Sequence, residues 1–408
     1  MNILFVSPWS HGASISPIMQ IATQVADFNN NVHFVTVKKS YIEYKSKKKE
    51  VEIASLPDNV AMHYVNNCFP VPSIAYPFVN PIEEYRKLLR IVKINDIDIL
   101  HFCCPEHLIC LPILKKKSFA NSPIVLSLND FPGIDWFYGN KFVDLVGLLY
   151  TKYVSLRILA SADAIVPSST RNRKILELYG LENRERRVST YGGSYGVDTH
   201  FFKPCNKAAK IQLRERFGLP ADAFIILFAG RLAKVKRIDL LIQSFKHIEE
   251  RLKNSFLLIV GDGPEKQALK ELASVSCSDN CKFMNFVNHA TLAELYAASD
   301  LFVLLSSGEG LPVSLLEATS SGLPAIVSNV GGSSDIITTG FNGYVLDTVN
   351  EVTITDSVAD IEVNYAKFSR NARTRAERES DWSVIIGNYL EIYRSLLEYG
   401  ELHQDLNY

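Results

Sequence analysis

Two acidic residues in the second half of the sequence lie in a segment suited to binding an anion. Glu309 and Glu317, with seven residues between them, belong to the stretch SSGEGLPVSLLEA at 306–318, which follows an apolar run and then takes on a helical pattern. Amides at a helix start, with the positive end of the dipole, favour a group such as a diphosphate. With the helix starting near Leu311, Glu317 is expected about two turns in, while Glu309 stays in the loop. The two carboxylates can thus serve different parts of one ligand.

A simpler interpretation of both acids stays open at this point. Glu309 would be a partner of the helix dipole, and Glu317 would be a solvated surface acid. Pro312 is compatible with either interpretation, because proline is favoured in the first turn of a helix.

A basic segment follows another apolar run, at residues 229–237 (AGRLAKVKR). Gly230 permits a close turn, Arg231 can hold phosphate oxygens through its two-pronged guanidinium, and Lys236 can act as a point charge. A run of basic residues in a loop is more often solvated surface. Its place at the carboxyl end of a strand favours ligand binding instead.

Two glycine-rich segments accompany these motifs. Residues 261–264 (GDGP) lack the complete G-x-G-x-x-G pattern, so they are interpreted as a structural turn that does not support a nicotinamide or flavin site. Residues 331–335 (GGSSD) predict another strand-end loop able to approach a sugar or a phosphate.

The elements that must position these residues appear as short apolar runs, each followed by a loop and a helical pattern. Such alternation predicts parallel sheets. The runs fall into two series, at 3–6, 32–37, 97–102, 123–128 and 163–167, and then at 224–229, 256–260, 282–286, 300–305, 324–328 and 343–346. Ligands of such sheets bind beyond the carboxyl ends of the strands. We therefore expect an α/β protein with two doubly wound, Rossmann-like domains facing each other across a cleft.

The length of 408 residues also favours two domains. A polar segment near 206–210 separates the two series, which places the first domain at 1–205 and the second at 206–383. A last helical pattern at 384–400 has no strand after it and could pack on either domain.

Composition excludes several classes of protein. The 43 basic and 44 acidic residues argue against a general nucleic-acid binder, although residues 1–205 carry 23 basic and 18 acidic side chains. Seven cysteines without a C-x-x-C pair suggest neither a disulfide framework nor a zinc site, and a reducing, cytoplasmic compartment is expected. No apolar run reaches the roughly 18 residues of a membrane span, so any membrane contact is expected to be peripheral.

Taken together, the motifs resemble family 4 of the retaining GT-B glycosyltransferases, also called glycosyl transferases group 1. The residues that carry the resemblance are AGRLAKVKRIDLLI, GDGP and ELYAASDLFVLLSSGEGLPVSLLEATSSGLPAIVSNVGGSSDII, with GVDTHFFKP at 196–204 extending it across the domain junction. The likeness is close over roughly 160–400 and loose over the first 150 residues.

The resemblance implies roles for the residues described above. Arg231 and Lys236 would hold the diphosphate of a UDP- or GDP-sugar donor, Glu309 would face the donor sugar, and Glu317 would bind the ribose. The residues implied to line the sugar and phosphates are Gly230, Gly310, Leu311, Pro312 and Val313. It also implies transfer without a metal or other cofactor, and a last helix that crosses back to the first domain.

Three positions around the predicted donor site depart from the family pattern. Asn129 stands where the family commonly has histidine, followed by Asp130. Tyr195 replaces an asparagine before Gly-Val-Asp, and Asp335 stands where glutamate is usual. Asn129 is accordingly expected to act in an altered sugar pocket.

Acceptor-side candidates come from two further strand ends. The usual His-x-His is reduced to His101 with Phe102 and Cys103, and the first loop has His11 and Gly12 but lacks the expected Gly-Gly pair. These residues and Asp130 are expected on the acceptor side.

The sequence thus predicts a retaining hexosyl- or N-acetylhexosaminyltransferase acting on a glycan, lipid-linked or small-molecule acceptor. The altered motifs leave open a catalytically silent subunit that scaffolds another glycosyltransferase. A phosphorylase or epimerase on a similar fold is less favoured, since no pyridoxal lysine site is evident.

Two features indicate contact with an anionic membrane. Lysines cluster at 38–49 and 115–117, and aromatic residues are frequent from Trp136 to Tyr150. Clustered lysines attract anionic headgroups, and amphipathic aromatic segments enter interfaces. A solvated loop and a core helix are the respective alternatives.

Overall fold

The computed structural model describes residues 1–8, 17–37, 60–65, 67–70, 77–105, 107–119, 122–129, 131, 134, 141–185, 194–277 and 280–404. The chain divides into two compact units. Unit 1 comprises Met1–Tyr195 with Ile385–Tyr408, and unit 2 comprises Gly196–Val384.

Unit 1 has a parallel sheet as its centre. Its strands are β1 Asn2–Val6, β2 Asn31–Val37, β3 Val60–Val65, β4 Asn67–Pro70, β5 Pro77–Val79, β6 Ile99–Cys103, β7 Ile124–Leu128 and β8 Ala164–Pro167. Its helices are α1 Pro17–Asp27, α2 Pro81–Ile94, α3 Lys141–Tyr150, α4 Leu156–Ser161 and α5 Thr170–Leu178, with 3-10 segments at Leu108–Phe119 and Glu182–Arg184 and a π-helical turn at Thr151–Ser155. Within the described residues, the sheet order is β3-β2-β1-β6-β7-β8, and β4 pairs with β5 as a separate antiparallel hairpin.

Unit 2 repeats this plan. Its strands are β9 Phe224–Ala229, β10 Ser255–Val260, β11 Cys281–Met284, β12 Leu301–Leu304, β13 Ala325–Ser328 and β14 Gly343–Leu346, in the order β11-β10-β9-β12-β13-β14. Its helices are α6 Lys207–Arg216, α7 Ile238–Arg251, α8 Lys266–Ser276, α9 His289–Ala298, α10 Val313–Ser320, α11 Ser333–Ile336, α12 Glu351–Val363 and α13 Tyr365–Glu379, with a 3-10 turn at Lys234–Lys236.

Both sheets are doubly wound, so the prediction of two Rossmann-like α/β units is confirmed. The first strand of each unit lies at the centre of its sheet. In unit 1, β1 pairs with β2 on one side and β6 on the other, and in unit 2, β9 pairs with β10 and β12. Strands β9 and β10 are apolar along nearly their whole length, because helices cover both faces of such sheets. The strand order of unit 2 reverses between the parallel strands β9 and β12, and ligands of doubly wound sheets bind beyond the carboxyl ends of the strands at that point.

The last helix, α14 Trp382–Gln404, belongs to unit 1 from Ile385 onward. Tyr389 and Tyr393 on this helix are fully buried there. Residues 196–205, expected with the first domain, fall in unit 2: Val197 N donates to Ser380 O at 2.7 Å, and a Cβ on Gly196 would lie 2.6 Å from the Trp382 ring. In the part of the chain that the structure describes, no helix is both long and apolar enough to cross a membrane.

Candidate functional site

The two loops that carry the predicted phosphate and sugar residues lie side by side at the point of unit 2 where the strand order reverses. One loop follows β9 and contains Gly230 and the 3-10 turn Lys234–Lys236, and the other follows β12. Ser307 N donates a 2.8 Å hydrogen bond to Val235 O, which joins the loops through their backbones. The topology therefore places both motifs where a ligand of this sheet would bind.

Lys236 and Glu309 form an ion pair within this pair of loops. The distance from Lys236 Nζ to Glu309 Oε1 is 2.5 Å, and the two side chains are 21% and 10% exposed. Ser306 Oγ, which is buried, donates to the same carboxylate oxygen at 2.5 Å. A cation and a carboxylate that are 73 residues apart in the chain are thus held together.

The backbone of the loop after β9 is supported by the GDGP turn. Leu232 N donates to Asp262 O at 2.9 Å. A Cβ on Gly261 would lie 1.9 Å from Gly230 O, and one on Gly263 would lie 2.2 Å from Leu232 O. These close approaches agree with the interpretation of GDGP as a structural turn. Arg231, between the supported residues, has an exposed side chain.

The loop at 331–335 supports the segment around Glu309 in the same way. Gly332 N donates to Gly310 O at 2.7 Å. Gly331 has φ +54°, and a Cβ there would lie 1.9 Å from Glu309 O. Only glycine fits this backbone conformation and contact without a shift of the Glu309 loop.

Helix α10 begins later than the sequence pattern predicts. Its first residue is Val313 rather than a residue near Leu311, and Pro312 occupies the N-cap position with φ −76° and ψ 104°. Proline offers no side chain to cap the helix, and the first amides of a helix lack intrahelical partners. The amides of Val313 and Ser314 therefore start α10 without a side-chain cap, and Leu311 beside them is buried.

Glu317 is in the second turn of α10, and its side chain is buried. The residue is 5% exposed, and Oε2 accepts a 3.1 Å hydrogen bond from the hydroxyl of Tyr296 on α9. Burial raises the pKa of Glu317 to about 7, and the hydrogen bond from Tyr296 acts in the opposite direction. The alternative that Glu317 is a solvated surface acid is therefore wrong. Tyr296 could not be predicted as a site residue, because the sequence around it has no signal beyond a helical pattern.

Asn129 lies at the carboxyl end of β7 in unit 1 and is half-buried. Its Oδ1 accepts a 2.5 Å hydrogen bond from Tyr195, and its Nδ2 lies 3.4 Å from Cys104 Sγ. Its carbonyl accepts from Ser168 Oγ at 3.0 Å and from Asn172 Nδ2 at 2.9 Å. The position and the amide plane of Asn129 are thus set by its neighbours.

The surroundings of His101 differ from those expected of a residue that faces an acceptor. Its side chain is fully buried on β6, with Nδ1 2.6 Å from the Tyr393 hydroxyl and Nε2 2.8 Å from Ser127 Oγ. Burial lowers the pKa of His101 to about 3, so the ring is neutral at neutral pH. His101 therefore connects α14 to β6 and β7 of unit 1 instead of presenting a ring nitrogen to a ligand.

The remaining acceptor-side candidates, His11, Gly12 and Asp130, lie outside the described residues. Across the described ranges, no group of three or more His, Cys, Asp or Glu side chains is arranged to hold a metal ion.

Comparison with known proteins gives a consistent result. The family model "Glycosyl transferases group 1" matches residues 209–379. An uncharacterized glycosyltransferase of Methanocaldococcus jannaschii is 31% identical over 321 residues, covering 78% of this chain and 80% of that protein. The N-acetyl-alpha-D-glucosaminyl L-malate synthase of Bacillus anthracis is 27% identical over 391 residues, covering 93% of this chain and 92% of that protein. The match to a D-inositol 3-phosphate glycosyltransferase of Xylanimonas cellulosilytica spans only 58% of the length of that relative, at 27% identity.

Among solved structures, HepE of Anabaena in complex with UDP superimposes with a TM-score of 0.71 at 17% identity, covering 97% of this chain and 100% of that one. The two six-stranded parallel sheets of the described residues, with this structural likeness, define the GT-B fold. The chain belongs to the glycosyl transferases group 1 family.

Proposed function

We propose that this protein is a retaining glycosyltransferase that moves a sugar from a nucleotide-sugar donor to an acceptor without a metal ion. The observation that carries the proposal is the Lys236–Glu309 pair beside the uncapped start of α10, at the strand-order reversal of unit 2. The pair supplies a cation for a phosphate and a carboxylate for sugar hydroxyls. The free amides add anion-binding groups whose orientation is fixed by the helix.

The donor diphosphate is assigned to Arg231, Lys236 and the amides of Val313 and Ser314. As the bond to the sugar breaks, negative charge accumulates on the departing diphosphate. Fixed cations and amides aimed at that charge stabilise the transition state, which is the task that a metal ion performs in other sites. The proposed reaction accordingly needs no metal or organic cofactor.

The donor nucleoside is assigned to the buried carboxylate of Glu317. A carboxylate can accept hydrogen bonds from two ribose hydroxyls, and Tyr296 holds it in one orientation. Gly230, Gly310, Leu311 and Pro312 are assigned to the walls around the phosphates and the sugar. Two observations support these roles. The side chain of Leu311 is buried, and the close contacts of Gly261 with Gly230 and of Gly331 with Gly310 leave the backbone of these loops little freedom.

For the donor we propose a UDP-sugar first and a GDP-sugar second, since the related HepE structure holds UDP. We propose that the transferred group is a hexosyl or N-acetylhexosaminyl group, because the name of the Bacillus anthracis relative contains an N-acetylglucosaminyl group. Retention at the anomeric carbon rests on the resemblance to family 4. A glycan, a lipid-linked sugar or a small molecule is the proposed class of acceptor.

The experiment that tests the proposal is thermal unfolding with UDP-, GDP- and ADP-sugars, followed by analysis of the anomeric configuration of any product. A donor that binds the folded state raises the unfolding midpoint. No shift with any of the sugars would contradict the proposed donor site. A shift without turnover would instead favour the silent-subunit alternative, for which Asn129 in place of histidine is the motivating observation.

A further inference from the structure

Helix α3, Lys141–Tyr150, presents its apolar side chains to solvent. In the described structure none of its residues is buried. The exposed apolar residues are Phe142 (74%), Leu145, Val146, Leu149 and, in the following turn, Tyr153 (62%). These positions are i, i+3, i+4, i+7 and i+11, so they form a continuous row on one face of the helix.

In an ordinary amphipathic helix the apolar row faces the core, whereas this row faces solvent. Single exposed apolar residues are common on soluble proteins, and Leu178 on α5 is an example. A row of five large, exposed apolar side chains on one helix is uncommon on such proteins. It indicates a surface that is covered by another apolar phase or molecule.

The charges around this row indicate what covers it. Lys141 and Lys152, at the two ends of the row, are both exposed, as is Arg157 farther along. The single acid between Lys141 and Ser161 in the sequence is Asp144. It lies about 200° around the helix from Phe142 and therefore away from the apolar row. The edge of the row is thus cationic.

We propose that α3 and the turn Thr151–Ser155 form a docking face for an anionic lipid bilayer. The apolar row enters the boundary between headgroups and acyl chains, while Lys141 and Lys152 extend to the lipid phosphates. Pairing with a second copy is less well matched. A two-fold, antiparallel arrangement of α3 places Lys141 of one copy opposite Lys152 of the other, which sets like charges against each other.

This inference does not depend on the proposed function. The lysines at 38–49 and the aromatic residues at 136–138, which the sequence associates with the same membrane, lie outside the described residues. Docking through α3 would bring unit 1 to a lipid surface.

The test is co-sedimentation of the full chain with vesicles of phosphatidylcholine alone or mixed with phosphatidylglycerol. The wild type should bind the anionic vesicles, and binding should weaken with added salt. Phe142→Ser with Leu149→Ser should reduce the partition coefficient by at least about tenfold. Lys141→Ser and Lys152→Ser should each reduce it by about fivefold and flatten its salt dependence.

Leu178→Ser is the matched control, because Leu178 is an exposed leucine outside the row. It should leave vesicle binding unchanged, and circular dichroism should show that all variants are folded. Failure of the wild type to bind anionic vesicles would overturn the proposal, as would equal losses in the Leu178→Ser and Phe142→Ser/Leu149→Ser variants. A dimer in light scattering that the row variant abolishes, without vesicle binding, would assign the face to a second copy.

Discussion

The hydroxyl of Tyr195 donates a 2.5 Å hydrogen bond to Oδ1 of Asn129. Both residues depart from the pattern of the family that the sequence resembles, and they are 66 positions apart in the chain. The bond orients the Asn129 amide so that Nδ2 points toward Cys104 Sγ, 3.4 Å away. The two departures therefore form one hydrogen-bonded unit.

Asn129→Ala should reduce sugar transfer by roughly ten- to a thousandfold, the range for losing one or two site hydrogen bonds. Tyr195→Phe, which removes only the orienting bond, should reduce kcat/KM by about tenfold. The double variant should be no worse than Asn129→Ala alone, because the two residues act as a unit. Tyr179→Phe, at an exposed tyrosine of unit 1, is the control. Sugar transfer by Asn129→Ala at the wild-type rate would place this residue outside the sugar pocket.

Lys236→Ala and Arg231→Ala should lower turnover far more than they weaken nucleoside binding. Their charge is needed most as the diphosphate departs, so the loss should appear in kcat. Lys234→Ala is a matched control, because Lys234 is an exposed lysine in the same 3-10 turn. Steady-state kinetics and nucleoside titrations separate the two effects. Near-normal turnover in both variants, or an equal loss in Lys234→Ala, would exclude the phosphate assignment.

Gly331→Ala should destabilise the protein much more than Gly340→Ala. Both glycines have positive φ, +54° and +77°, which costs an alanine about 1–2 kcal/mol. A Cβ at Gly340 meets nothing within 4 Å, whereas one at Gly331 would lie 1.9 Å from Glu309 O. Urea unfolding of both variants measures the difference in the free energy of unfolding. An equal loss in the free energy of unfolding for both variants would show that the close contact between Gly331 and the Glu309 loop does not contribute to stability.

Glu317→Gln should stabilise the protein at alkaline pH. The pKa of Glu317 in the folded chain is about 7, above its ordinary value of 4.5. The folded state therefore binds the proton more tightly than the unfolded state, so the unfavourable effect of the buried carboxylate is absent below pH 4.5 and complete above pH 7.

Removing that charge should thus raise the free energy of unfolding by up to about 3 kcal/mol above pH 7 and by little near pH 4.5. Thermal unfolding at both pH values measures this change, with the exposed Glu271→Gln as the control. A stabilisation independent of pH would be inconsistent with an ionised carboxylate at this position.

The central strands could be predicted from the sequence because strands covered on both faces have continuous apolar runs. The edge strand Val60–Val65 was missed. Only its two end residues are buried, and its middle, with Met62 and His63, has no such run. The short hairpin of β4 and β5 was missed because each strand has only three or four residues.

The placement of Arg231, Lys236 and Glu309 in the loops after β9 and β12 was predictable because each loop follows an apolar strand, while the roles of these residues stay predictions. What the sequence could not predict was pairing over long separations. The Glu317 carboxylate depends on Tyr296, 21 residues earlier, and burial rather than local pattern sets its pKa. His101 likewise could not be recognised as buried, because its partner Tyr393 lies 292 residues away.

Metal-independent sugar transfer is tested by measuring the release of nucleoside diphosphate from UDP-, GDP- and ADP-sugars by the wild type and by Lys236→Ala, with and without a chelator. We expect the wild type to release the diphosphate from at least one donor, equally well with exhaustive chelation, and Lys236→Ala to do so far more slowly. Loss of wild-type activity on chelation, restored by magnesium or manganese, would contradict the metal-independent mechanism. No release from any donor would contradict the claim that the protein is an active transferase.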